Sequence, residues 1–301
     1  MNLSIKIGKT KFPNPVTVAS GTFGWKEKYY RLADVKKLGA IVPKTITLHA
    51  QKGNPPPRIH ETPAGMLNAI GIENAGADAF IQEKIPMYKK LKVPLIVSVS
   101  AHSEKDFIQL IEKFNGVKGL GALELNLSCP NLKKKTLVAQ DPKATHRIVK
   151  AVKKRAKMPI IAKLSPNVTD ITKIAEAAED AGADGLSMIN TLAGMAIDVK
   201  TRKPVLGNVT GGLSGPAVRP VALNIVYRAA QKVNIPIIAM GGIATANDAL
   251  EFLIAGASMV AVGTMNFINP SAPLEVLAGI KKYMREQKIK DIQKLIGSIR
   301  T

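Results

Sequence analysis

Short apolar runs rich in β-branched residues alternate with longer amphipathic stretches from one end of the chain to the other. This alternation predicts repeated strand-helix units and a parallel sheet. Two of the expected helix-to-strand turns contain a glycine, Gly182 and Gly256, at which a helix can end. The pattern predicts eight strands: Val16–Ala19, Ala40–Pro43, Pro94–Val99, Ala122–Leu127, Pro159–Leu164, Gly185–Ile189, Pro236–Met240 and Met259–Val262.

Eight such units in 301 residues fit one α/β domain, residues 1–301, folded as a (β/α)8 TIM barrel. A doubly wound sheet is the alternative architecture, but no Gly-x-Gly-x-x-Gly turn follows an early strand. The expected helices are Asp106–Phe114, Ala144–Ala156, Val168–Ala181, Ala217–Val233, Ala246–Ala255 and Pro273–Met284.

Three segments depart from the repeat. Residues Ile5–Phe12 predict a small N-terminal hairpin around Gly8-Lys9, which would close the barrel at the end opposite the site. Residues 45–75 and 190–215 are long connections rich in Gly, Pro and Asn, each after a strand's C-terminal end. We expect long inserted loops there, at the C-terminal face of the barrel, to bind a ligand or cover it.

The chain is strongly basic, with 43 Lys and Arg against 22 Asp and Glu and a net charge of +21. A nucleic-acid-binding protein is one interpretation of such a charge. The basic residues are dispersed, however, and aromatic residues that could stack on bases make up only 4%. We therefore expect the basic residues to lie on solvated helix faces, and we expect no nucleic-acid partner. The positive charge is still compatible with an anionic substrate or an acidic partner subunit.

The N-terminal segment, Met1–Gly8, lacks the apolar core and the cleavage site of a signal peptide. No apolar stretch of the sequence reaches the length of a membrane span. These features predict a soluble, cytoplasmic protein with no membrane partner.

The only cysteine, Cys129, lies in the segment Glu124–Asn131, where an apolar run gives way to small polar residues. A free cysteine is more often a small buried hydrophobe than a reactive group. This one, however, follows a predicted strand at the C-terminal end, where barrels hold their catalytic residues. A lone cysteine excludes an intrachain disulfide, and without a Cys or His cluster we expect no metal site.

Other polar residues also fall at strand ends or in the long loops. Lys44 and Lys163 would be costly to bury without an anion or polar ligand. Glycines at the ends of the last two strands let backbone N–H groups approach a phosphate, and Gly241, Gly242, Gly263 and Thr264 lie there. Amides that both donate and accept hydrogen bonds suit a pyrimidine ring, and Asn68, Asn126, Asn131 and Asn190 supply them.

Several long motifs occur in the order found in one known family, through nearly the whole chain. They are Ala19–Gly24, Lys44–Thr47, Gly53–Arg58, Glu61–Asn68, Asn126–Asn131, Gly211–Pro216 and Met240–Ile243. In these motifs the chain resembles dihydroorotate dehydrogenase, in particular the catalytic subunit of the class 1B, NAD-linked form. The resemblance implies an FMN-containing barrel that oxidises dihydroorotate to orotate in pyrimidine biosynthesis.

The resemblance also implies residue roles. Cys129 would be the base that removes the C5 proton of the substrate, while Lys44 would contact both substrate and flavin. The substrate-binding set would be Lys44, Asn68, Gly71, Ile72, Asn126, Asn131, Asn190 and Thr191. The FMN-binding set would be Ser20, Lys44, Thr45, Asn126, Lys163, Ile189, Gly215, Gly241, Gly242, Gly263 and Thr264.

Class 1B catalytic chains work with a subunit that carries FAD and a 2Fe-2S cluster and passes electrons to NAD, so the resemblance implies a homodimer within a heterotetramer. The alternative is a related flavin enzyme that acts on another pyrimidine or uses another acceptor, such as fumarate in class 1A. Ser98 replaces the family's usual flavin-contacting asparagine, so we expect no equivalent contact from it. Trp25 is compatible with a subunit contact or with packing.

Overall fold

A computed structural model describes residues 1–23, 34–127, 130–131 and 136–300, with the backbone alone at 130, 131, 136 and 137. Two residues singled out in the sequence, Cys129 and Trp25, lie outside the described residues. Across the described part of the chain, no helix combines the length and the apolar character needed to cross a bilayer.

Strands and helices alternate as the sequence pattern predicts. The strands are β1 (Ile5–Ile7), β2 (Thr10–Phe12), β3 (Val16–Val18), β4 (Ile59–Thr62), β5 (Gly65–Asn68), β6 (Leu95–Val99), β7 (Leu120–Asn126), β8 (Pro130–Asn131), β9 (Thr136–Leu137), β10 (Ile160–Lys163), β11 (Gly185–Met188), β12 (Leu192–Gly194), β13 (Ile197–Asp198), β14 (Lys203–Pro204), β15 (Gly211–Ser214), β16 (Ile237–Met240) and β17 (Met259–Val262). The main helices are α1 (Ile85–Leu91), α2 (Glu104–Asn115), α3 (Pro142–Lys153), α4 (Ile171–Asp180), α5 (Arg219–Ala230), α6 (Ala246–Ile254) and α7 (Ala272–Glu286).

Seven parallel strands form one curled sheet in the order β3-β17-β16-β11-β10-β7-β6. The segment 39–46 occupies the gap between the two end strands. Gly39 N–H donates to Val16 O at 2.7 Å on one side, and isolated parallel bridges join Ile41 to Leu95 and Ile46 to Val99 on the other. The sheet and this segment form the predicted (β/α)8 barrel.

The second predicted strand, Ala40–Pro43, differs from the prediction, because the structure shows isolated bridges there and not a continuous strand. Pro43 has no N–H to donate, which interrupts the ladder at the point where the chain turns toward Lys44. The segment thus closes the barrel with few hydrogen bonds.

The barrel helices combine polar residues that cap their N-termini with one apolar face that packs on the sheet. Asp141 accepts hydrogen bonds from Lys143 N and Ala144 N at the start of α3, and Pro142 occupies the first turn. A capping box joins Thr245 and Asp248 at the start of α6. The apolar faces of these helices pack on strands whose residues are almost all buried, which produces one large core.

The N-terminal hairpin is confirmed, because β1 and β2 pair antiparallel around Gly8-Lys9. Thr10 Oγ1 donates to Gly121 O at 2.6 Å, and Lys9 Nζ donates to Lys157 O at 2.6 Å. These partners precede or begin strands, so the hairpin covers the N-terminal end of the barrel and leaves the opposite end for the site.

The two long connections at the C-terminal face build a common structure. They contribute β4 with β5 and β12 with β15, which join in a four-stranded antiparallel sheet of order β12-β15-β5-β4. A Cβ on Gly65 would lie 2.0 Å from Ser214 O, so glycine allows the close approach of β5 and β15. The predicted loops are therefore ordered by each other, which the sequence did not indicate.

Candidate active site

Lys44 belongs to the segment 39–46 that closes the barrel, and it lies against Gly21, where an added Cβ would be 3.1 Å from Lys44 Cδ. Burial and, to a smaller extent, the charge of Lys163 lower the pKa of Lys44 to about 8, although the charge of Glu73 partly offsets both effects. Glu73 itself pairs with Arg58 at 2.5 Å, and no ion pair joins Lys44 to a described carboxylate. The Lys44 ammonium is therefore a cation suited to an anionic ligand.

Lys163 ends β10 and has a buried counter-charge. Its Nζ lies 3.6 Å from Glu124 Oε1, and the two side chains are only 7% and 2% exposed. Ser187 Oγ donates to the other carboxylate oxygen, Glu124 Oε2, at 2.7 Å. Glu124 is thus held between a cation and a hydroxyl from two neighbouring strands.

Amide side chains meet beside the lysines. Asn190 Nδ2 donates to Asn126 Oδ1 at 3.4 Å, and Asn190 Oδ1 accepts from Thr191 N at 2.8 Å. Asn68 approaches from the four-stranded sheet, where its Nδ2 donates to Gly212 O at 3.3 Å. All three side chains are half-buried, and Gly212, the partner of Asn68, lies directly against Thr191, the residue after Asn190.

Gly71 and Ile72 form a turn with positive φ angles of 77° and 53°. A Cβ on Gly71 would lie 2.6 Å from Asn54 N, so the position requires glycine. Gln51 Nε2 donates to Gly71 O at 2.9 Å, and Asn74 Nδ2 donates to Ile72 O at 2.8 Å. The turn is therefore fixed by two side chains of the same long connection.

A chain of hydroxyl groups lines the first strands. Ser20 Oγ donates to Pro43 O at 2.8 Å and lies 3.1 Å from Thr45 Oγ1. Thr45 Oγ1 in turn lies 3.0 Å from Ser98 Oγ. Since each hydroxyl has one proton and Ser20 gives its own to Pro43, Thr45 donates to Ser20 and Ser98 donates to Thr45.

Gly241 and Gly242 bend the chain after β16 and lie close to α5. Gly241 and Gly242 have φ angles of 126° and 76°. A Cβ on Gly241 would lie 2.7 Å from Ala222 Cβ and 3.3 Å from Ile189 Cγ1, and one on Gly242 would lie 2.6 Å from Arg219 Cβ. Side chains at these positions would fill the space between the strand end and the helix.

Gly263 and Thr264 follow β17, and Gly215 follows β15, and these two chain segments lie close together. Thr264 Oγ1 donates to Ser214 Oγ at 2.8 Å, which ties β15 to the end of the barrel. In the described part of the chain, the N–H groups of Gly242 and Gly263 donate to no acceptor. Backbone N–H groups that have no protein acceptor and lie in glycine turns commonly donate hydrogen bonds to phosphate groups.

A family model described as dihydroorotate dehydrogenase matches residues 2–284. The chain belongs to the dihydroorotate dehydrogenase family. Curated relatives cover its whole length. The protein named dihydroorotate dehydrogenase B (NAD(+)), catalytic subunit, from Desulforamulus reducens is 52% identical over 299 residues, 99% of this chain and 98% of that protein.

Two further relatives with the same name are nearly as similar. The one from Geotalea uraniireducens is 48% identical over 301 residues, which cover 100% of this chain and 99% of that protein. The one from a Thermoanaerobacter species is also 48% identical over 301 residues, with the same coverage. The resemblance to the dihydroorotate dehydrogenase family drawn from the sequence motifs is thereby confirmed.

Not every site residue expected for this family can be placed. Cys129 lies outside the described residues, and of Asn131 only the backbone in β8 is described. Conversely, sequence reasoning missed Glu124 and Ser187 as partners near Lys163. A glutamate inside the apolar run Gly121–Leu127 was the available signal for Glu124, whereas Ser187 carries none.

Proposed function

We propose that this chain catalyses the oxidation of (S)-dihydroorotate to orotate with bound FMN, in de novo pyrimidine biosynthesis. The observation that carries the proposal is the pair of buried lysines at the C-terminal face. Lys163 has Glu124 as a counter-charge, whereas Lys44 has none within ion-pair distance among the described residues and a pKa lowered to about 8. One uncompensated cation fits a substrate with one carboxylate.

The residues present fit FMN. The N–H groups of Gly242 and Gly263, which have no acceptor among the described residues, can donate hydrogen bonds to its phosphate. Thr264 and Gly215 lie next to these glycine turns. Lys163 has ammonium protons available for the ring system, and positive charge there favours the reduced flavin, which is more negative than the oxidised form. The remaining contacts we assign to FMN come from Ser20, Lys44, Thr45, Asn126, Ile189 and Gly241.

When bound, FMN supplies the acceptor for the hydride that leaves C6 of the substrate. The chain's own residues bind the substrate and move the proton. We assign the pyrimidine ring to Asn68, Asn126, Asn131 and Asn190 with Thr191, Gly71 and Ile72, and its carboxylate to Lys44. Cys129, by its place after β7 in the sequence, takes the C5 proton onto its thiolate sulfur, which leaves the ring double bond of orotate.

The thiolate form of Cys129 is needed because a thiol has no free electron pair of sufficient basicity for this proton. An unperturbed thiol has a pKa of about 8.5, so a neighbouring positive charge increases the reactive fraction at neutral pH. Lys44 and Lys163 supply positive charge at the same face of the barrel.

The relatives are named as the catalytic subunit of an NAD(+)-linked enzyme. We propose on that basis that this chain forms a homodimer and joins a second subunit, which carries FAD and a 2Fe-2S cluster and delivers electrons to NAD. Co-purification from the native host tests this assembly, since a partner with iron, FAD and NADH-forming activity is expected. Recovery of the chain alone, with full activity toward fumarate, would contradict it.

The activity is tested with the purified chain. We expect a yellow protein that releases FMN on denaturation and whose flavin absorbance bleaches on anaerobic addition of dihydroorotate. Uracil and dihydrouracil are the matched substrates, since they share the ring and lack the carboxylate that Lys44 would bind. Bleaching by dihydrouracil at the same rate, or a protein that binds no FMN, would contradict the proposal.

A further inference from the structure

Glu124 is buried deep in the barrel beside Lys163, and the reaction as proposed gives it no part. Its side chain is 2% exposed, and a glutamate is almost never so buried without a partner. It lies on β7 two residues before Asn126, so both side chains are on the same face of the strand. Glu124 therefore occupies the level directly below the amide and lysine side chains of the site.

Strand register fixes how the groups are stacked. Lys163 is paired in register with Asn126 on one side and with Ser187 on the other. The Lys163 side chain nevertheless brings its Nζ to 3.6 Å from Glu124 Oε1, one level lower. Ser187 Oγ donates to Glu124 Oε2 at 2.7 Å and holds the carboxylate from the far side.

The contact between Lys163 and Glu124 is electrostatic and not a hydrogen bond. A distance of 3.6 Å exceeds the usual range of about 2.7–3.2 Å for an N–H···O bond. In agreement, Glu124 Oε1 accepts no hydrogen bond from the described residues although it is fully buried. Glu124 thus stabilises the positive charge of Lys163 while leaving the ammonium protons for another acceptor.

We propose that Glu124 is a positioning residue that supplies the counter-charge of Lys163 and holds its ammonium group in place against the flavin. The inference rests on the proposed function, because it takes FMN as the acceptor for the Lys163 protons. Removal of Glu124 leaves a buried lysine beside the cation of Lys44 with no counter-charge. Both burial and like charge lower a lysine pKa.

The test is the pH profile of the FMN midpoint potential, measured by spectroelectrochemical titration of the holoenzyme. The native holoenzyme, with the Glu124 carboxylate beside Lys163, gives the reference profile. In Glu124→Gln we expect a break that the native profile lacks, since burial and the like charge of Lys44 disfavour the protonated form of a lysine without its counter-charge. Above the break the potential falls below the extrapolated line, because the positive charge is lost.

Three variants distinguish this role from a purely structural one. Lys163→Met and the double variant with Glu124→Gln are expected to lack the break, because the titrating group is gone. Glu124→Asp retains the carboxylate and is expected to restore the native profile. Ser187→Ala is the matched control, since it removes the other partner of Glu124 and leaves both charges in place.

A native profile in Glu124→Gln, or a break that persists in the double variant, overturns the inference. If Glu124→Gln fails to bind FMN, the double variant decides: restored binding supports an unpaired lysine as the cause, and continued failure overturns it. These outcomes differ from failure of the proposed function. That failure shows as a native chain without FMN or without bleaching by dihydroorotate, whereas here the native holoenzyme behaves as proposed.

Discussion

Burial lowers the pKa of Lys44 and the charge of Lys163 adds to this effect, so the two lysines at the C-terminal face of the barrel are electrostatically coupled. Lys163 has Glu124 as its counter-charge, whereas Lys44 has no described carboxylate within ion-pair distance and loses its charge as pH rises through about 8. An anion bound near Lys44 stabilises the protonated form of the lysine, and the protonated lysine in turn binds the anion more tightly.

We expect orotate affinity to fall as pH rises through about 8, the pKa of Lys44. Below this pH Lys44 is charged and attracts the carboxylate, and above it the attraction is lost. Titration of FMN-loaded enzyme with orotate at several pH values measures the effect. Lys44→Met should bind orotate weakly and with little pH dependence. Lys200→Met, at an exposed position, should bind orotate like the native chain. If the orotate affinity of Lys44→Met kept the native dependence on pH, the assignment would be refuted.

The folded-state pKa of Lys44 also predicts a stability effect of known sign. Its pKa falls from 10.5 to about 8 on folding, so the unfolded chain binds more protons between these values. The contribution of Lys44 to the free energy of unfolding therefore rises with pH across that window and is lost as pH falls through about 8. Urea unfolding of the apoprotein at pH 7 should show Lys44→Met at least as stable as the native chain.

Gly242→Ala is expected to weaken FMN binding about ten-fold or more, since a left-handed backbone costs a non-glycine residue about 1–2 kcal/mol. The new Cβ would also lie 2.6 Å from Arg219 Cβ. Gly116→Ala is the matched control, because its Cβ would meet nothing within 4 Å. Comparing FMN with riboflavin isolates the phosphate: equal losses for both flavins would place Gly242 outside the phosphate site.

Ser98→Ala is expected to retain FMN and to lower the free energy of unfolding by about 1 kcal/mol, the net value of one hydrogen bond. Ser98 is fully buried and donates to Thr45, so its hydroxyl supports the Ser20-Thr45 chain. Urea unfolding and flavin content measure the two effects. Thr17→Val, which removes a separate buried hydrogen bond, is the control, and a colourless Ser98→Ala protein would show that Ser98 contacts the flavin.

Cys129→Ser is expected to fold and bind FMN but to slow flavin reduction by about 10²–10⁴-fold, since a serine hydroxyl is a much weaker base at neutral pH. Stopped-flow bleaching with dihydroorotate measures the rate. The flavin spectrum before mixing is the internal control for binding. Reduction of Cys129→Ala at the native rate would exclude this thiol as the base.

Hydrophobic periodicity was sufficient for the barrel because each strand is buried on both faces and each helix on one. The runs at Pro94–Val99 and Pro236–Met240 are mostly apolar, and they form β6 and β16 within one residue of the prediction. The segment Ala40–Pro43 has the same composition but forms only bridges. Its backbone conformation is set by Pro43, which has no N–H to donate, and by the neighbouring strands β3 and β6.

The connection from residue 45 to 75 illustrates what local sequence could not specify. Its strands β4 and β5 are short, and β5 is completed by β15, almost 150 positions later, with Gly212 opposite Asn68. Neither segment has an apolar period strong enough to predict a strand alone. The backbone groups of β5 and β15 form hydrogen bonds only because the fold places both segments at the same end of the barrel.

The sequence by itself determined the barrel, the family and the residue types of the site, because apolar periodicity and linear motifs are local properties of the chain. Only the tertiary structure decided which charges are paired. Lys44 and Lys163 look alike in sequence, each a lysine at a strand end. The pairing of β7 with β10 brings Glu124 within reach of the Lys163 side chain and not of Lys44, and the burial that accompanies folding lowers the pKa of Lys44.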